Sequence, residues 1–224
     1  MTHNDSGEIQ YREAIQLMKA RPERLGLMSG WSWHDDPKRL VFFLARYKFV
    51  AKMLDGCERV LEVGCGDGFG TRIVTQTVKH VTGVDFDPEF VNSAKTIMSE
   101  RWPATYLVHN MLEGPVPGTF DGAYSLDVLE HISKQDESRF IENMVAPLTP
   151  HGVMLIGTPS SQSQAYASEH SRIGHVNCKD QKELKVVMQR WFHNVFMFSM
   201  NDEVVHTGFH PMSHYNFCVC CGKK

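Results

Sequence analysis

Apolar positions in the first part of the chain fall at helical spacing. Over residues 8–20, Ile9, Ala14, Ile15, Leu17 and Met18 recur on one side of a helix. Pro22, Gly26 and Gly30 then break the rhythm, so residues 22–36 read as an irregular segment carrying Trp31, Trp33 and His34. Asp36 followed by Pro37 supplies a cap and a proline at the first helical position, which predicts a second, aromatic-rich helix to about Leu54. From Arg59 onwards short apolar runs alternate with amphipathic stretches. Residues 60–63, 80–85, 105–108, 122–125, 152–157, 194–200 and 215–221 read as strands. Residues 70–79, 88–100, 134–146 and 180–191 read as helices between them.

Strands alternating with helices predict an α/β fold, a doubly wound and mostly parallel sheet of seven strands. The connection between the last two strands is too short for a crossover helix, so the final strand is expected to run antiparallel. The 224 residues fit one domain, with residues 1–55 as an N-terminal helical cap and 56–224 as the core. Residues 158–178, rich in Ser, His and Gln, form a long loop after the fifth strand, and loops of that length are often functional.

A glycine-rich loop follows the first core strand: Val60-Leu61-Glu62-Val63-Gly64-Cys65-Gly66-Asp67-Gly68-Phe69-Gly70. Glycines between a strand and a helix let the backbone approach a ligand closely. The dinucleotide fingerprint G-x-G-x-x-G fails in both frames, because Phe69 or Thr71 stands where the third glycine belongs. Glu62 and Asp67 flank the loop and would repel a pyrophosphate. Further along, Asp85 ends the second strand, His109-Asn110-Met111 follows the third, and Phe120-Asp121…Ser125-Leu126-Asp127-Val128-Leu129-Glu130-His131 spans the fourth.

This ordered set resembles class I S-adenosylmethionine-dependent methyltransferases, in the ubiquinone-type, small-molecule branch, over roughly residues 55–160. The resemblance implies a Rossmann-like core with S-adenosylmethionine as cofactor and S-adenosylhomocysteine as product. It implies that Glu62, Gly64, Cys65, Gly66, Asp67 and Gly68 meet the cofactor's positively charged amino-acid portion. Asp85 would accept the ribose hydroxyls and Phe86 would lie against the adenine. Asn110 and Met111 would face the adenine edge, with Asn110 a departure from the family's usual Asp whose carbonyl can accept the same bond. Ser125, Leu126 and Asp127 would line the methionine end. Asp121 is expected to be structural.

Composition narrows the acceptor. Charged residues make up 22% and the formal net charge is −3, with no basic stripe beyond Lys223-Lys224. Nucleic acid is therefore not expected as a partner, and no apolar run suggests a membrane span. The polar start of the chain carries no signal-peptide pattern, and the six unevenly spaced cysteines do not form a disulfide framework; a cytoplasmic protein with a small-molecule acceptor is expected. If the acceptor is a hydroxyl, a general base helps, and His131, His170 and His175 fall on the expected active edge. Trp31, Trp33 and His34 could close over that edge as a lid. His206, His210 and His214 have a ligand-like spacing, but Gly208 and Pro211 break any helix there, so no metal is assigned. A catalytically silent cofactor-binding module and a nicotinamide-dependent oxidoreductase are the rival readings.

Overall fold

The computed structural model describes residues 8–224, apart from the side chains of Ile9, Gln10 and His170. The polar residues 1–7 lie outside the described residues. Helices α1 (Ile9–Ala20), α2 (Leu27–Asp35) and α3 (Lys38–Met53) precede β1 (Arg59–Val63). Then come α4 (Thr71–Val74), β2 (His80–Asp85), α5 (Pro88–Thr96), β3 (Thr105–Val108), β4 (Phe120–Leu126) and α6 (Glu137–Val145). The chain ends with β5 (Leu148–Pro159), α7 (Glu169–Gly174), α8 (Gln181–Met188), β6 (Phe192–Asn201), β7 (Val204–His206) and β8 (Tyr215–Lys223).

The strands form one sheet in the order β3-β2-β1-β4-β5-β8-β6-β7. Strands β1 to β5 pair in parallel, and β8 is inserted antiparallel between β5 and β6. The sheet thus has eight strands where seven are expected. The extra one, β7, folds back on β6 through a tight turn at Asp202, which takes φ +50°. Its three residues are too few to show a period in the sequence.

Alternation along the strands gives each face its own core. Leu61, Val63, Ala123, Met154, Ile156, Cys218 and Cys220 pack against α6 and α8 through Phe140, Met144, Leu184 and Met188. Val60, Tyr124, Leu155 and Phe217 point the other way, onto Tyr47, Val50, Ala51 and Leu54 of α3. Helix α3, expected in an N-terminal cap, is therefore one of the helices that cover the sheet.

Three helical expectations are corrected. Residues 22–36 contain α2, whose start is held by the Gly26 N–H donating to Ser29 Oγ (2.9 Å) and by a tertiary bond described below. A helix fixed by a partner 38 residues away leaves little local signal. The helix expected over 70–79 lasts only Thr71–Val74 before turns carry the chain to β2. The loop at 158–178 holds a turn of 3-10 helix (Gln162–Tyr166) and α7.

Asp121 secures the sheet where β1 begins: its carboxylate accepts the Glu58 N–H at 2.7 Å and the Arg59 N–H at 2.8 Å. Asp121→Ala is expected to lower stability by about 1–2 kcal/mol in urea unfolding, with no change in ligand binding at the opposite strand ends.

Candidate active site

A cleft of about 640 Å³ opens at the carboxyl ends of the parallel strands, lined by Met28, Gly64–Asp67, Asp85, Phe86, His109–Leu112, Leu126–Val128 and His131 among others. That size suits a small organic molecule, and the position is the crevice where open α/β sheets take ligands. Asp67, Asp85 and Asp127 line it, with no Lys or Arg among the described lining residues. The cleft therefore favours a cationic or neutral guest over a pyrophosphate.

The floor is the glycine loop. Gly64 (φ +78°) and Gly66 (φ +51°) adopt the left-handed region that side chains disfavour. Each also faces a close neighbour: a Cβ on Gly64 would meet Val128 Cγ2 at 2.2 Å, and one on Gly66 would meet Met28 Sδ at 2.7 Å. The turn is tied to β2. Gly64 and Cys65 donate their N–H groups to the Val84 carbonyl, and Gly66 donates to Asp85 Oδ2 at 3.0 Å. The other oxygen, Asp85 Oδ1, accepts from Asp87 N–H at 3.0 Å. Both oxygens of Asp85 are thus oriented by backbone donors while keeping lone pairs for a ligand. Asp87, not Asp85, caps α5 by accepting from the Glu89 N–H. Phe86 beside it is 72% exposed on the cleft wall, an apolar ring face offered to solvent.

Other expected residues are placed as follows. Cys65, Gly66, Met111 and Leu126 line the cleft. Gly68 falls within the loop, where the Tyr106 hydroxyl donates to its carbonyl. Asn110 lines the cleft, and its amide also serves a turn, Oδ1 accepting from Leu112 N–H and Nδ2 donating to Glu113. Glu62 is not brought to the cleft. It is buried under the loop, accepting from Tyr47 Oη (2.9 Å) and Thr71 Oγ1 (2.6 Å). Burial pushes its carboxyl up to about 7 against the pull of those hydrogen bonds. Ser125 is likewise withdrawn, its hydroxyl donating to the Val63 carbonyl.

Two of the lining acids also hold the N-terminal helices. Asp67 Oδ2 accepts from both the N–H and the hydroxyl of Ser29, each at 2.7 Å, which fixes α2 on the loop. Asp127, a non-glycine residue at φ +57°, has both carboxylate oxygens 2.7 Å from Arg46 Nη1, and the Arg46 guanidinium lies 3.9 Å over the Tyr215 ring. Arg46, Met28 and Tyr47 escape notice in the sequence, because they lie on helices before the motif region and meet it only in three dimensions. The expected lid is also recast: Trp31 and Trp33 are 63% and 58% exposed, and Met28 is the α2 residue at the cleft.

At the far end, one turn of 3-10 helix (Leu129–His131) follows β4. His131 lines the cleft, and its ring lies 5.1 Å from that of His175 in an edge-on contact. Burial and the neighbouring His131 hold His175 below its ordinary value. His170 sits in α7, and its side chain lies outside the described residues. His206 bonds Asn201 instead, and His214 lines a separate small hollow with Arg46 and Tyr215.

A family described as methyltransferase domain matches residues 60–152. Over 103 residues the chain is 32% identical to a probable S-adenosylmethionine-dependent methyltransferase of Mycolicibacterium smegmatis, covering 45% of this chain and 38% of that one. Over 148 residues it is 30% identical to a ubiquinone biosynthesis O-methyltransferase of Xanthomonas campestris, covering 63% and 61%. The chain thus matches less than two thirds of the length of either relative. In fold it is similar to the N-methyltransferase NodS of Bradyrhizobium japonicum, solved with S-adenosyl-L-homocysteine (TM-score 0.62, 17% identity, 94% of this chain and 97% of that one). Residues 60–152 are thus similar to a methyltransferase domain, and the chain shares the Rossmann-like fold of solved methyltransferases.

Proposed function

We propose that this chain is an S-adenosylmethionine-dependent methyltransferase acting on a small molecule, at a hydroxyl of a sugar, glycan precursor or other metabolite. One observation carries the proposal above the rest: the strained glycine loop is bonded directly to Asp85, inside an acid-lined cleft. Asp85 would take the ribose hydroxyls, Phe86 the adenine face, and Asn110 with Met111 the adenine edge. Gly64–Asp67 and Leu126–Asp127 would surround the charged amino-acid portion, whose ammonium the carboxylates attract. Glu62 and Ser125, expected as contacts, support this surface from beneath.

When bound, S-adenosylmethionine supplies a methyl group on a sulfonium, open to in-line attack. The protein's part is to align the acceptor and exclude water. His131, on the cleft wall beside Asp127, stands where an acceptor would enter, and His175 backs it. The O-methyltransferases among the relatives favour oxygen as the acceptor atom. The six free cysteines are consistent with the cytoplasm as its site of action. Among the described residues no helix is long and apolar enough to cross a membrane.

Calorimetry with S-adenosylmethionine and with NADH tests the cofactor. Micromolar binding of the first and none of the second is expected, with Asp85→Asn weakening it about 10- to 100-fold, the range for losing a hydrogen bond to a charged group. Preference for NADH would overturn the proposal. An acceptor screen with radiolabelled donor tests turnover. His131→Ala is expected to slow transfer roughly 10²–10⁴-fold while leaving donor affinity within about twofold; binding without turnover on any acceptor would point to a silent module instead.

The pH dependence has a defined sign. Because His175 is held below the usual 6.5, it stays neutral through neutral pH. The rate should be level through neutral pH and fall only as acid protonates His175.

A further inference from the structure

We infer that Phe43 on α3 makes the cleft discriminate the cationic methyl donor from its neutral product, by placing an aromatic ring against the sulfonium. The inference rests on the proposed cofactor and assigns a specificity role to a residue outside the motif region.

Donor and product share the adenosine, the ammonium and the carboxylate, and differ at sulfur. When the methyl group leaves, the S–C electron pair stays on sulfur, and the sulfonium becomes a neutral thioether. Groups that hold the adenosine or the amino-acid portion therefore hold donor and product alike. A cleft that binds both equally is blocked as product accumulates. Discrimination has to come from what touches the sulfur.

The order of the sheet locates that atom. Strand β1 pairs with β2 on one side and with β4 on the other. After β3 the chain returns to place β4 across β1, which makes the β1/β4 boundary the switch point where open α/β sheets take ligands. With the ribose at Asp85, beyond β2, and the amino-acid portion at Asp127, beyond β4, the sulfur between them lies over the ends of β1 and β4. Helix α3 is tied to both strands. Tyr47 Oη donates to Glu62 of β1 at 2.9 Å, and Arg46 Nη1 reaches Asp127 at 2.7 Å. Phe43 lies one helical turn before Tyr47 on the same face, with ring centroids 4.8 Å apart and ring planes tilted by 54°. Tyr47 is buried, whereas Phe43 is half-buried and lines the cleft. Phe43 is thus the member of the pair that offers more surface to a guest. The other phenylalanines of the lining lie elsewhere: Phe86 and Phe90 follow β2 on the nucleoside side, and Phe140 is packed into the core.

Electrostatics give the ring its use. A sulfonium favours negative potential, yet the nearby carboxylates are already engaged. Asp127 is paired with Arg46, Asp67 Oδ2 accepts two bonds from Ser29, and Glu62 is held beneath the loop by Tyr47 and Thr71. An aromatic face attracts a cation through its quadrupole without carrying a formal charge. That attraction vanishes once sulfur is neutral. Because the donor's positive charge already declines in the transition state, the contact favours holding donor over product and does not itself speed the chemical step.

Calorimetry with S-adenosylmethionine and S-adenosylhomocysteine tests this on the full chain. Phe43→Leu keeps an apolar side chain and removes the π face. It is expected to weaken S-adenosylmethionine roughly 3- to 30-fold, the range for losing a cation–π contact, while product affinity stays within about twofold. Phe43→Tyr should restore the donor-to-product ratio of the original protein. Retained product binding also shows that the leucine variant is folded. Equal weakening of both ligands would mean that the ring only fills space, and overturns the inference; so does an unchanged affinity for both. The two readings fail differently. If the original protein binds neither ligand, the cofactor proposal falls and takes this inference with it. If it binds both and the ratio ignores Phe43, only the inference falls.

Discussion

The hydrogen bond from the Gly66 N–H to the Asp85 carboxylate determines the shape of the cleft. It joins the ends of two neighbouring parallel strands at the point where the chain must leave one of them. The loop can reach Asp85 only by taking positive φ at Gly64 and Gly66, and there is no room for a Cβ at either. Backbone strain, steric closeness and the orientation of the acid are therefore one constraint. Asp85 is held from both sides by N–H groups, so its remaining lone pairs point into the cleft without needing a ligand to arrange them.

A second constraint follows from where the acids lie. Asp67 and Asp127 belong to the cleft wall, yet their best partners are Ser29 on α2 and Arg46 on α3. The N-terminal helices are thus latched at both ends of the cleft by groups that also set its negative potential. A cationic guest would share these carboxylates with the helices that enclose it. Glu62 makes the opposite choice. Buried among Tyr47 and Thr71, it stiffens the strand beneath the loop and gives the cleft none of its charge.

Much of this was legible in the sequence where local rules suffice. The alternating pattern located β1 to β6 and β8, and Pro88 after Asp87 marked the start of α5, because strands and caps announce themselves within a few residues. What stayed hidden depends on distant partners. Helix α2 is stabilised by Asp67, 38 residues away, and its glycines disguise it as a loop. Strand β7 is three residues long and exists as the return arm of a hairpin. The same limit applies to the site. The motif residues could be listed, but not which way each would face: Glu62 and Ser125 turn inward, and Arg46 enters from outside the motif altogether.

The parallel sheet explains why the chemistry divides as it does. Strands β1, β2 and β3 end at the loop, Asp85 and Asn110, the portion suited to holding a nucleoside. Strands β4 and β5 end at Asp127, Glu130, His131 and the loop bearing His175. Because β4 and β5 are neighbours in register from Gly122–Val153 to Leu126–Gly157, the segments that follow them leave the sheet side by side. The Asn177–Glu130 backbone bond then fixes the distance between them. Two histidines separated by 44 positions in the chain are brought to 5.1 Å by that arrangement, over a carboxylate that the interior leaves half unsatisfied.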